Sequence, residues 1–183
     1  MIRFILVPLL VALAVSLASA QPNPQVLMKT SKGDIVIELD PVRAPVTVKN
    51  FLDYVDAKFY DGTIFHRVIS GFMIQGGGLT AEFREKPARP PIKNESGNGL
   101  KNARGSIAMA RMQDLNSATS QFYINHVDNA NLDAMKYAVF GRVVKGLDIV
   151  DAIAAVPTGT TRGYQDAPRQ TITMLSVRRA DAK

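Results

Sequence analysis

The chain has 183 residues, 46% of them hydrophobic, with 22 Lys and Arg against 16 Asp and Glu for a net charge of +6. That length suits a single domain with its own core. The absence of cysteine and tryptophan and the presence of only two histidines exclude disulfide frameworks, zinc–thiolate sites, iron–sulfur clusters, cysteine nucleophiles and histidine-rich metal sites.

The first segment, MIRFILVPLLVALAVSLASA, carries one charge, Arg3, then an apolar run from Phe4 to about Leu17 that ends in Ala18-Ser19-Ala20. A basic start, an apolar middle and small residues at the exit predict a cleaved secretory signal peptide over 1–20. The rival, an uncleaved anchor, needs ~20 apolar residues, and this run falls short. No cysteine follows the run, so a lipoprotein is excluded. The expected destination is the periplasm, with secretion as the alternative, and the fold takes no help from disulfides there. Cleavage removes one Arg, which lowers the net charge by one. Residues 21–25, QPNPQ, read as a short linker, and 26–183 as a single domain without repeats.

Val26–Thr30 and Asp34–Leu39 are short alternating runs around Ser31-Lys32-Gly33, which predicts a β-hairpin. Pro45 opens a helix to about Ala57, with Val48, Phe51, Leu52 and Val55 on one face. Thr63–Val68 and Phe72–Gln75 read as strands joined by Ser70-Gly71, the second followed by Gly76-Gly77-Gly78. Residues 80–105, rich in Pro, Gly, Asn and charge, read as long loops. Ser106–Ala110, Ser120–Asn125 and Ala138–Val144 are further strands. Leu147–Ala155 is a second helix ended by Pro157, and Thr171–Val177 a closing strand. Many short strands with two isolated helices do not follow the rhythm of a parallel α/β protein. A closed or nearly closed antiparallel barrel, since closure removes exposed edges, is the expected architecture. Phe122, Ile124, Ile35 and Ile37 are predicted to fill its interior, which leaves no room for a ligand inside.

The familiar chemical motifs are missing. Neither GxGxxG nor GxxxxGKS/T can be written through Gly76-Gly77-Gly78, and Gly97-x-Gly99 has Asn102 where a third glycine belongs. No GxSxG elbow occurs. His66 and His126 lack the spacing of a helical metal site and read as structural or surface residues. Asn94-Glu95-Ser96 matches a glycosylation sequon, a triplet common by chance. The basic residues are scattered and no aromatics interleave with them, so no nucleic-acid partner is expected.

Five strings nevertheless occur in order: Phe65-His66-Arg67-Val68-Ile69, Gly71-Phe72-Met73-Ile74-Gln75-Gly76-Gly77, Ser106-Ile107-Ala108-Met109-Ala110, Ser117-Ala118-Thr119-Ser120-Gln121-Phe122-Tyr123-Ile124-Asn125 and Ala138-Val139-Phe140-Gly141-Arg142-Val143. Together they closely resemble the cyclophilin family of peptidyl-prolyl cis-trans isomerases, in its exported bacterial branch, from about Val26 to Val177. The resemblance implies a mainly β fold, a closed eight-stranded antiparallel barrel capped by two α-helices, with substrate on an outer face. It implies Arg67 as the catalytic residue. Phe72, Met73, Tyr123 and Leu132 would line a proline pocket, with Tyr137 at its rim. Gln75 and Gln121 would hold the substrate backbone, and Ala110 and Arg111 would border the site for the residue before proline. His66 would support the strand or a neighbouring loop.

Strand parity groups Gln121 with Tyr123 and Met73 with Gln75, but places Phe72 opposite, just after a turn. No cofactor and no metal is implied. The implied partners are proline-containing unfolded or exported polypeptides, and a monomer without stable membrane insertion after cleavage is expected. A non-catalytic proline-peptide binder or holdase chaperone is the alternative.

Three positions depart from the family pattern. Tyr123 stands where most members have Phe, and its hydroxyl needs a partner, since an unpaired buried one costs ~1–3 kcal/mol. Asn131 stands where eukaryotic members often have Trp, so weak cyclosporin binding is expected. Arg111 replaces a typical Asn and predicts a preference for acidic residues near the proline.

Overall fold

A computed structural model describes residues 22–180. The leader expected over 1–20 and the first residue of the expected linker lie outside them. The elements are β1 (Gln25–Thr30), β2 (Gly33–Leu39), α1 (Pro45–Asp56), β3 (Thr63–Ile69), β4 (Met73–Thr80), β5 (Ser106–Met109), β6 (Phe122–Asn125), α2 (Ala130–Ala134), β7 (Val139–Lys145), α3 (Leu147–Ala154), β8 (Thr158–Thr161), β9 (Tyr164–Pro168) and β10 (Met174–Ala180). The linker is shorter than expected, because Gln25 already pairs with Glu38 and Ala180 as the first residue of β1.

Alternation drives the strands. Ile35, Ile37 and Leu39 are buried on one face of β2, and Val26 and Met28 face them from β1. In α1, proline in the first turn fixes φ where no N–H is missed, and Val48, Phe51, Leu52 and Val55 form the buried stripe. Its free N-terminal N–H groups go to a loop carboxylate. Val46 N donates to Glu95 Oε1 at 3.0 Å and Thr47 N to Oε2 at 2.8 Å, which also places negative charge at the positive end of the helix dipole. α1 and α3 contribute Phe51, Val55, Val150 and Ile153 to one core with Ile35, Ile37, Phe122 and Ile124. Each such side chain stabilises the fold by roughly 1.5–3 kcal/mol through burial.

The main sheet is wholly antiparallel, in the order β10-β1-β2-β7-β5-β6-β4-β3. It has eight strands as expected, but it is open and not a closed barrel. β3 and β10 are its edges and form no ladder with each other; besides the isolated bridge Ile64–Thr173, Gly62 N donates to Met174 O at 2.9 Å and Phe65 N to Ile172 O at 3.0 Å. The cause lies in β3, whose register against β4 breaks twice between Thr63 and Arg67. Such breaks bend and twist a strand, and β9 packs beside β3.

Two further features were not expected: the five-residue helix α2, a third helix beside the two predicted, and the β8–β9 hairpin. The triple glycine does not end β4, which continues to Thr80. A Cβ at Gly78 would lie 2.5 Å from Gln121 Cγ, so glycine there leaves space for that side chain.

Candidate functional site

The register of four neighbouring strands builds the site. Arg67 of β3 pairs with Gln75 of β4, Gln75 with Tyr123 of β6, and Tyr123 with Ala108 of β5. Directly opposed residues point to the same face of a sheet, so one cross-strand row carries a cation, an amide and a phenol. Phe122 and Ile124 point the other way into the core, as parity predicted.

Beside this row lies a cleft of about 170 Å³ lined by Arg67, Phe72, Met73, Gln75, Ala110, Arg111, Tyr123, Leu132 and Tyr137. Its floor is a second apolar cluster, separate from the main core, of Met73, Ala108, Tyr123, Leu132 and Val139, with Phe72 and Tyr137 packed against it. Phe72 reaches this face because it belongs to the turn before β4 and escapes strand parity. Gln121 lines a neighbouring cleft of about 290 Å³ that shares Gln75, Ala110 and Arg111. Gln75 Nε2 donates to Gln121 Oε1 at 3.1 Å, which links the two clefts.

The Tyr123 hydroxyl has its partner. It donates to Asn102 Oδ1 at 2.7 Å, and burial, followed by Tyr137 and Asp133, pushes the phenol above its ordinary range. Asn102 Nδ2 in turn donates to Asp133 Oδ1 at 2.8 Å on α2. Asn125 Nδ2 donates to Asn102 Oδ1 at 3.1 Å and to Ser106 Oγ at 2.8 Å. Asn129 Nδ2 donates to Asn125 Oδ1 at 2.7 Å and to Phe72 O at 2.9 Å. This network of buried amides joins Tyr123, α2 and the turn carrying Phe72. Sequence reasoning missed it, because isolated asparagines in loops carry no periodic signal.

The cations behave differently from one another. Among the described residues Arg67 has only a long ion pair, Nε to Asp166 Oδ2 on β9 at 3.7 Å, with both side chains about two-fifths exposed. Arg111 is committed to the scaffold. Its Nη1 donates to Met112 O at 2.8 Å, its Nη2 to Met135 O at 2.5 Å, and its guanidinium lies 4.4 Å from the Tyr137 ring centroid. Its Nε has no partner among the described residues. His66 is buried between Phe65 and Arg67, edge-on to Tyr164 with ring centroids 6.1 Å apart, and its Nδ1 has no partner among the described residues. Burial, then the Arg67 charge, lowers its pKa to about 4, so it is neutral at physiological pH. Among the described residues no group of three or more His, Asp or Glu side chains converges as a metal site would require, and no helix is long and apolar enough to cross a membrane.

The family model for cyclophilin type peptidyl-prolyl cis-trans isomerases matches residues 25–179. This chain belongs to that family. It is 51% identical over 164 residues to peptidyl-prolyl cis-trans isomerase A of Dickeya dadantii, covering 87% of this chain and 86% of the relative. A peptidyl-prolyl cis-trans isomerase of Acinetobacter baylyi is 53% identical over 164 residues, 87% of each chain. A cyclophilin crystal structure from Cryptosporidium parvum, determined in the presence of the dipeptide Ala-Pro, superposes with a TM-score of 0.72 at 27% identity, covering 86% of this chain and 99% of that one. The protein is therefore an enzyme of the isomerase class, a peptidyl-prolyl cis-trans isomerase, on a cyclophilin fold whose sheet is open.

Proposed function

We propose that this cyclophilin accelerates X–Pro rotation in exported, folding polypeptides by non-covalent stabilisation of the twisted amide, with Arg67 as the catalytic residue. Rotation breaks amide resonance at a barrier of ~18–20 kcal/mol, while the cis and trans ground states differ by only ~0.5–1 kcal/mol. No nucleophile or cofactor is needed, only tighter binding of the twisted form than of either planar one. Twisting localises the nitrogen lone pair, which accepts a hydrogen bond only in the transition state. A guanidinium supplies fixed charge and planar donors to that nitrogen. An acceleration of ~10⁶ corresponds to about 8 kcal/mol of differential binding.

The observation carrying this reading is the cleft in which a loosely paired Arg67 shares walls with Phe72, Met73, Tyr123 and Leu132. The proline ring packs on those apolar groups, with Tyr137 at the rim. Gln75 and Gln121 hold the peptide backbone, Ala110 and Arg111 flank the preceding residue, and neutral His66 supports β3. Export to the periplasm rests on the leader-like residues 1–20.

The test is isomerisation of a proline tetrapeptide. Arg67→Ala should lose about 10²–10³ in kcat/KM, the cost of removing one preorganised donor from a transition state, with peptide binding retained. Equal rates in both proteins, with binding intact, would leave a proline-peptide binder or holdase.

A further inference from the structure

The turn between β3 and β4 determines where Phe72 enters the cleft. Phe72 N donates to Ile69 O at 3.1 Å, and Gly71, in the third position of this four-residue turn, has φ +73°. A positive φ there, after an ordinary residue, is the type II form, in which the peptide between Ser70 and Gly71 is flipped relative to type I. The flipped Gly71 N–H takes no part in the turn's own hydrogen bond. It donates to His126 Nδ1 at 3.0 Å, while His126 N donates to Phe72 O at 2.9 Å. One residue just beyond β6 thus holds the turn at two places.

The imidazole is itself oriented. Its Nε2 lies 3.2 Å from Asp151 Oδ1 on α3, and Asp151 Oδ2 receives Arg104 Nη2 at 2.8 Å. Arg104 Nη1 donates to His126 O at 2.5 Å, and Arg104 N to Asp128 Oδ1 at 2.7 Å. A carboxylate facing Nε2 favours the proton on that nitrogen and leaves Nδ1 as an acceptor.

We propose that His126 is a positioning residue: its Nδ1 lone pair holds the Ile69–Phe72 turn in the type II form and so sets Phe72 against the proline ring. The catalytic consequence rests on Phe72 contacting substrate. Gly71 is exposed, so water can replace the acceptor and the fold survives its loss, but the turn is then free to flip.

Kinetics with a proline tetrapeptide and amide hydrogen exchange at Gly71 test this together. His126→Leu, of similar bulk but without an acceptor, should raise KM about 3–10-fold, the worth of one hydrogen bond, leave kcat little changed, and speed Gly71 exchange. His126→Asn, whose Oδ1 can accept the same N–H, should rescue both. Equal KM in the Leu and Asn variants, or unchanged Gly71 exchange in His126→Leu, would overturn the proposal. An unchanged KM in Phe72→Ala would instead overturn the assignment of Phe72 to substrate, while Gly71 exchange would still decide whether His126 holds the turn.

Discussion

Phe51 meets Tyr60, Phe122 and Phe140 at ring-centroid distances of 5.2, 5.6 and 5.2 Å, all within the main core. Tyr123, on the next residue of β6, points to the opposite face and meets Asn102 through a 2.7 Å hydrogen bond. The first environment is held by area, dispersion and shape, which are non-directional and forgiving of small shifts. The second is held by donors and acceptors that work only in one arrangement. A protein that must keep a small pocket open beside an exposed cation gains from directional support there. Close packing alone would tend to fill the cleft.

Mutations in the two regions should therefore separate stability from turnover. Phe51→Ala should cost about 3–5 kcal/mol of stability by leaving a cavity among the three rings it meets, read as a shifted denaturation midpoint, with kcat/KM of the folded fraction within about twofold of wild type. A large change in turnover at full folding would show that core and cleft are coupled.

His66 is buried against Tyr164 of β9 rather than in either region, and its effect depends on pH. Its folded pKa, about 4, lies below the ordinary 6.5, so the unfolded chain binds the proton more readily. Stability is then fully present above pH 6.5 and falls as pH drops toward 4, by at most about 3 kcal/mol. His66→Gln should flatten that slope in denaturant titrations at pH 7, 5.5 and 4.

Asn102→Ala orphans the Tyr123 hydroxyl and an Asn125 donor. The expected cost is about 1–3 kcal/mol of stability, together with a raised KM, since the Asn102 side chain no longer links Tyr123 to Asp133 of α2. Tyr123→Phe removes only the donor, and Asn102 Oδ1 keeps Asn125. It should cost about 0.5–1.5 kcal/mol and change KM less than Asn102→Ala. A reversed order would show that the network does not support the cleft.

The parts of the fold that could be read from the chain are those with a period. Ile35-Ile37-Leu39 and Phe122-Ile124 alternate, and Val48-Phe51-Leu52-Val55 follows the helical repeat, so the main strands and two helices were legible. The β8–β9 hairpin was not, because Thr158–Thr161 and Tyr164–Pro168 are largely exposed or half-buried and show no apolar alternation. Helix α2 contributes one buried residue, Leu132, which is too little for a pattern. Barrel closure was overestimated because register breaks in β3 depend on neighbours that a linear reading does not see. At the cleft, the expected residues could be named only through the ordered family strings. The partners Asn102, Asp166 and His126 stayed hidden because each acts on a residue distant in sequence.

The pairing of β1 with β10, Gln25 opposite Ala180 and Val26 opposite Arg179, also bears on when this chain can fold. A polypeptide made from its N-terminus can pair β1 with β2 early, but the other side of β1 stays unpaired until residues 174–180 have emerged. The longest-range ladder must then form last, and such non-local pairing is slow. A chain truncated before Met174 leaves one side of β1 without its ladder partner and should be protease-sensitive.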